Sequence, residues 1–203
     1  LKENLNTILK LKVFTGKQNN CQQLLSGYAN IPQILAVGLG KKSEMNTEIL
    51  RRAAGIAGKK MNSLNAKKIG FTVTSLLQNK SEIDVGQVLV EGLTLGSYKF
   101  SKYKESHDEK SKLESIKIQC CDPENITSRK ALKTGKMRAD GTNLARNLGN
   151  TPANDLKPKD LASAAENIAK QHKIDCTVLE EKQMKKLGMG MLLGVSRGSR
   201  EPA

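Results

Sequence analysis

Apolar residues along this chain recur at two spacings, every second position in short runs and every third or fourth in longer ones, and the two spacings take turns. Thr7 to Phe14 alternates and is predicted as a strand ended by Thr15-Gly16. After a polar stretch, Pro32 to Gly40 is a short apolar run closed by glycines, which predicts a buried strand with a tight exit. Asn46 and Thr47 suit the cap of a helix reaching Asn65. Its core face would carry Ile49, Ala53, Ile56, Ala57, Met61 and Leu64, with Arg51, Arg52, Lys59 and Lys60 opposite in solvent. Lys68 to Ser75 is the next strand, with Ile69, Phe71 and Val73 on one side.

Glu82 to Lys102 returns to helical spacing through Val85, Val88, Leu89, Gly92, Leu93 and Gly96. A helical glycine costs about 1 kcal/mol relative to alanine, so glycines at 92 and 96 imply a neighbouring backbone packed closely on that stripe. Lys104 to Lys112 is a charged surface loop, and Leu113 to Cys121 is a strand stopped by Asp122-Pro123. Strands alternating with helices predict an α/β domain, a central sheet flanked by helices.

Thr127 to Gly149 continues as a long helix, expected to break near Gly135 or Gly141, and runs into a hinge at Leu144 to Pro158. Pro152 biases Thr151 away from helical dihedrals, Pro158 suits the first turn of another helix, and Asn150, Asn154 and Asp155 can close the connector with side-chain bonds. Beyond it the pattern predicts a helix at Lys159 to Gln171, a strand at Ile174 to Leu179, a helix at Glu180 to Leu187 and a second strand at Met191 to Val195. About fifty residues with two strands cannot cover both faces of a parallel sheet, so this unit reads as the incomplete start of a domain. The chain begins at Leu1 rather than Met and is expected to be part of a longer one.

Composition narrows the partners. With 3% aromatics and no Trp, the core must come from Leu, Ile, Val, Ala and Met. No run of 18 apolar residues exists and the N-terminus lacks an apolar signal region, which predicts neither a membrane span nor secretion. Cys21, Cys120, Cys121 and Cys176 form no C-x-x-C pair, so neither a zinc ribbon nor a redox dithiol is indicated, and unpaired thiols fit a cytoplasmic protein. The formal charge of +14 favours polyanions. Its lysines are dispersed, however, and ring stacking of bases has only Tyr98, Phe100 and Tyr103 to call on. A solvated basic surface is the expectation, and a binding module for nucleic acid or another polyanion is the alternative.

Two motifs fail on their own chemistry. Gly38-Leu39-Gly40-Lys41-Lys42-Ser43 resembles a phosphate loop, but Leu35 stands where a Walker A has its first Gly and Lys42 where it has Ser or Thr. Gly194-Val195-Ser196-Arg197-Gly198 satisfies G-x-S-x-G, yet His107 and His172 both precede Ser196, whereas that hydrolase order puts the base after it. His107 has no partner at metal-ligand spacing and is expected in solvent.

Taken together, several stretches carry a resemblance. They are Ala36 to Lys42 (AVGLGKK), Leu50 to Gly55 (LRRAAG), Val90 to Phe100 (VEGLTLGSYKF), Asn143 to Leu148 (NLARNL), Asn150 to Pro158 (NTPANDLKP), Leu187 to Gly190 (LGMG) and Gly198 to Pro202 (GSREP). In this order and spacing the chain resembles the cytosolic leucyl aminopeptidase family of dinuclear metallopeptidases. The resemblance implies an N-terminal α/β domain over residues 1–127, a joining helix over 128–149 and the incomplete start of an α/β catalytic domain over 150–203. It further implies a homohexamer that removes N-terminal residues, preferably Leu, from peptides, with two divalent ions such as Mn or Zn. The family's metal-binding and catalytic residues match no position here. The resemblance therefore assigns no catalytic, cofactor-binding or metal residue to this chain, and leaves it a structural and oligomerisation role, inactive alone.

Overall fold

A computed structural model of the chain describes residues 13–64, 68–72, 82–104, 115–119 and 126–202. Packing divides the chain into two units, Leu1–Asn143 and Leu144–Ala203. The first opens with an antiparallel hairpin, β1 (Cys21–Tyr28) and β2 (Ile31–Val37), in register from Cys21 opposite Val37 to Leu25 opposite Gln33. The register shifts between Leu25 and Tyr28, where Gly27 sits at φ +76°, a backbone conformation open to glycine. The buried Ser26 hydroxyl accepts the Tyr28 N–H at 2.9 Å and donates to the Ile31 carbonyl, replacing ladder bonds lost at the irregularity. Strand β1 falls in the stretch that looked merely polar, because Gln22, Gln23 and Ser26 mask its alternation. Most of the strand expected at Thr7 to Phe14 lies outside the described residues, and Val13 and Phe14 themselves are not in a strand.

Helix α1 (Thr47–Ser63) starts where its cap predicts, with the Asn46 side chain accepting from the Ile49 N–H at 2.9 Å. Helix α2 (Glu82–Gly96) lies between β3 (Lys68–Thr72) and β4 (Ser115–Gln119), which pair in parallel as such a crossover requires. Among the described residues the strands thus form two separate pairs, an α/β arrangement with helices packed on strand side chains. The remaining parts of the strands expected to reach Ser75 and Cys121, and the loop at 105–114 with His107, lie outside the described residues.

The core is the α1–α2 contact. Leu50, Ala54, Ala57 and Met61 meet Val85, Val88, Leu89 and Leu93, with Leu35, Val37, Leu39, Ile69 and Phe71 packed around them. Each fully buried Leu or Val stabilises by about 1.5–3 kcal/mol. Of the face its spacing suggested, Ala53, Ala57 and Met61 are buried; Leu50 and Ala54 are buried beside them, and Ile49 and Ile56 are half-exposed. The glycines explain how Leu50 and Ala54 are drawn in. A Cβ on Gly92 would strike the Arg51 carbonyl and one on Gly96 the Gly55 carbonyl, so the two backbones touch along that line. Gly96 also ends α2 earlier than the expected Lys102, and Ser97 closes the end by donating its N–H to Leu93 at 3.0 Å.

Helix α3 (Ile126–Asn150) is continuous, without the expected break. Gly135 is there for proximity, since a Cβ would meet the Gln87 carbonyl of α2. Ala131, Gly135 and Ala139 make the small-residue stripe that permits that approach.

The second unit holds α4 (Pro158–His172), α5 (Glu181–Lys186) and α6 (Gly190–Ser196). Two expectations fail here. Residues 174–180 pair with no strand among the described residues, and Met191 to Val195 is helical. A short apolar run rich in Met and Leu suits helix as well as strand, and periodicity over five residues cannot separate them.

Candidate functional site

The hinge is a compact, hydrogen-bonded connector. Thr151 donates its N–H and its hydroxyl back to the Asn147 carbonyl, at 3.1 and 2.7 Å, and Asp155 and Leu156 donate their N–H groups to Pro152 at 2.9 and 3.0 Å. Pro158 occupies the first turn of α4, and the Asp160 carboxylate accepts the Lys157 N–H at 3.0 Å. The Lys157 ammonium pairs with Glu201, 44 residues later. That hydrogen bond, together with the charge on Glu201, raises the lysine's pKa above its ordinary 10.5. The pair brings together two of the sequence stretches that carried the resemblance, Asn150 to Pro158 and Gly198 to Pro202, which sequence spacing alone had not linked.

Ser196 ends α6, and its hydroxyl donates to the Leu193 carbonyl at 3.0 Å. It is a helix-terminal residue rather than an elbow between strand and helix, and among the described residues no base is hydrogen-bonded to it. It lines an open cavity of about 460 Å³ with Glu181, Lys185, Leu193, Arg197 and Glu201, and no histidine is among the lining residues. His172 closes α4 and is exposed. Gly38 and Gly40 donate their N–H groups to Asn20 and Gly16 at 2.8 and 2.9 Å, which prolongs the hairpin and leaves no amide cradle for a phosphate. Burial pushes the half-buried Cys21 thiol upward in pKa against the pull of Lys60, which opposes thiolate chemistry. Cys176 is exposed and free, and Cys120 and Cys121 lie outside the described residues. Phe100 and Tyr103 pack on each other at 5.9 Å, and Lys102 sits over the Tyr103 ring at 5.2 Å.

Among the described residues no three His, Cys, Asp or Glu side chains come together as a metal centre needs. The most elaborate polar cluster is structural. Glu91 on α2 is only 6% exposed and accepts from Arg51 Nε at 2.8 Å and Gln87 Nε2 at 3.1 Å, with Arg138 of α3 at 3.6 Å. Arg51 also reaches Glu48, so it is an interhelix link rather than the solvated cation its position on the helical wheel suggested. No helix among the described residues is long and apolar enough to cross a membrane.

The comparisons with known proteins meet this geometry at both units. Residues 1–107 match the family model described as the cytosol aminopeptidase family, N-terminal domain, and residues 143–203 match that of the family's catalytic domain. The chain belongs to the cytosol aminopeptidase family. Within that family it is 32% identical over 201 residues to a probable cytosol aminopeptidase of Alkaliphilus oremlandii, covering 98% of this chain and 40% of the relative. It is 33% identical over 216 residues to one of Desulfotalea psychrophila, covering 99% and 43%. The chain thus spans about two fifths of the length of these relatives. Among solved structures, a mutant of tomato leucine aminopeptidase superposes with a TM-score of 0.83 at 26% identity, over 98% of this chain and 39% of that one. The bottromycin maturation enzyme BotP, whose complex with Mn has also been solved, gives 0.77 at 25% identity over 96% of this chain.

Proposed function

We propose that this chain is the N-terminal portion of a metal-dependent leucyl aminopeptidase that removes N-terminal residues, Leu by preference, from peptides in the cytoplasm as a homohexamer. In this reading residues 1–127 are a support domain, 128–149 the joining helix and 150–203 the opening elements of the catalytic domain. Two divalent ions, Mn or Zn, are held by residues in the part of the family's length that these 203 residues do not cover. What carries the reading is the order of the two family matches, an N-terminal-domain match over residues 1–107 followed by a catalytic-domain match over residues 143–203.

The residues of this chain take no chemical step in this reading. Their work is mechanical: the glycine-lined α1–α2 contact and the Glu91 cluster make a firm base for α3. The test compares two proteins. The intact natural protein is expected to hydrolyse Leu-p-nitroanilide faster than other amino-acid anilides, to need Mn or Zn and to stop with chelator, and the 203-residue chain is expected to do nothing. Chelator-insensitive turnover by the intact protein, or turnover by the chain alone, contradicts the proposal.

A further inference from the structure

The Lys157–Glu201 pair of the second unit joins two segments that each hold their own shape. On the hinge side, Leu156 donates its N–H to the Pro152 carbonyl at 3.0 Å and Lys157 donates its own to the Asp160 carboxylate at 3.0 Å, which fixes the lysine's backbone where α4 begins. On the other side, Ser199 donates its N–H to the Ser196 carbonyl at 2.9 Å, and its hydroxyl oxygen accepts the Glu201 N–H at 3.0 Å. That turn is fastened to the end of α6. An ion pair between freely moving side chains is worth little, because ordering them costs about what the attraction returns. Here the backbone on both sides is already ordered, and the side chains are only 34% and 37% exposed, so less order is lost and less of the attraction is screened. Apolar contacts offer little competition: α4 buries Ala169, α5 buries Met184 and α6 buries no residue.

We propose that the Lys157–Glu201 pair is a clasp that makes the hinge at 151–157 and the turn at 199–201 one moving part, so that opening of either loosens the other. Opening of the Pro152 turn carries Lys157 away from Glu201, and opening of the Ser199 turn carries Glu201 away from Lys157, so the same contact is lost in both events. A coupling of this kind is reciprocal: whatever one segment contributes to holding the other, it receives in equal measure. Removal of either partner therefore releases both segments by the same factor. The proposal does not depend on the peptidase reading.

The experiment is amide exchange with solvent, read by NMR on the 203-residue chain at low salt and always at the end remote from the substitution. Lys157→Met is read at the Ser199 amide and Glu201→Gln at the Leu156 amide, so neither substitution alters the intrinsic exchange rate of the amide it is judged by. Each is expected to speed the remote amide about threefold, the double variant no more than either single one, and Lys157→Arg hardly at all. A second measurement needs no variant: salt raised to about 0.5 M is expected to speed both amides of the natural sequence and to leave those of the double variant unchanged. Remote amides that keep their rates, remote effects of unequal size, or salt acting equally on the natural sequence and the double variant, each overturn the clasp in favour of an ordinary surface ion pair.

Discussion

In the first unit Leu50, Leu89 and Leu93 are 1–3% exposed, whereas in the second, among the described residues, the buried hydrophobics are Ala169 and Met184. The second unit leaves Met191 91% and Val195 83% exposed on α6. Both units are built from amphipathic helices, so the difference lies in what each helix has to pack against. In the first, α1 meets α2 backbone to backbone and strand side chains close the edges. In the second, three helices and the Lys157–Glu201 pair supply no sheet on which the apolar faces could settle. A helix stripe becomes core only when a partner surface is present.

Truncation in the core is the strongest way to break the comparison. Leu89→Ala is expected to cost about 3–4 kcal/mol in urea unfolding, while Met191→Ser in the second unit is expected to change stability by less than about 0.5 kcal/mol. An equal loss at Met191 would show that α6 is packed as tightly as α2. Glycine scanning sharpens the contrast through its sign. Gly92→Ala is expected to cost about 2–3 kcal/mol because its Cβ would meet the Arg51 carbonyl. Gly194→Ala, also inside a helix but with nothing within 4 Å, is expected to gain about 0.5–1 kcal/mol of helix propensity.

Removal of a buried carboxylate comes next. Glu91→Ala strands Arg51 and Arg138, but side-chain exposures of 32% and 62% let water repay part of the loss, so about 2 kcal/mol is expected. The smallest effect is one of pH. Hydrogen bonds from Arg52 and then Arg51 hold Glu48 below the ordinary glutamate value of 4.5. A depressed carboxylate contributes stability that is complete above 4.5 and lost as pH falls below it through the folded value. The acid limb of the stability profile is therefore expected to be shallower in Glu48→Gln, measured by urea midpoints from neutral pH down to about 3. Identical acid limbs would mean that the pairs with Arg51 and Arg52 do not hold in solution.

How much of this was legible in the sequence follows the same division. The α1 cap at Asn46, the stripe from Val85 to Leu93 and the close approach at Gly92 and Gly96 could be read because each rests on a local signal with a definite spacing. Arg51 could not, because its burial depends on Glu91, forty residues away, and a helical wheel records only the helix it belongs to. The burial of Leu50 and Ala54 was hidden for the same reason. In the second unit the misread segments, 174–179 and 191–195, are short apolar runs whose form is set by tertiary partners rather than by their own pattern. The Lys157–Glu201 pair left no sequence signal, because its partners stand 44 residues apart. The glycines expected to break α3 show a local rule giving way: Gly135 lowers propensity, and packing on α2 more than repays it.

The central claim, that the first unit carries its own core and the second does not, is tested most directly by native-state hydrogen exchange read residue by residue on the 203-residue chain. Amides of α1 and α2 are predicted to exchange only through global unfolding, and those of α4, α5 and α6 through openings several kcal/mol cheaper. Equal opening free energies in the two groups would contradict the account.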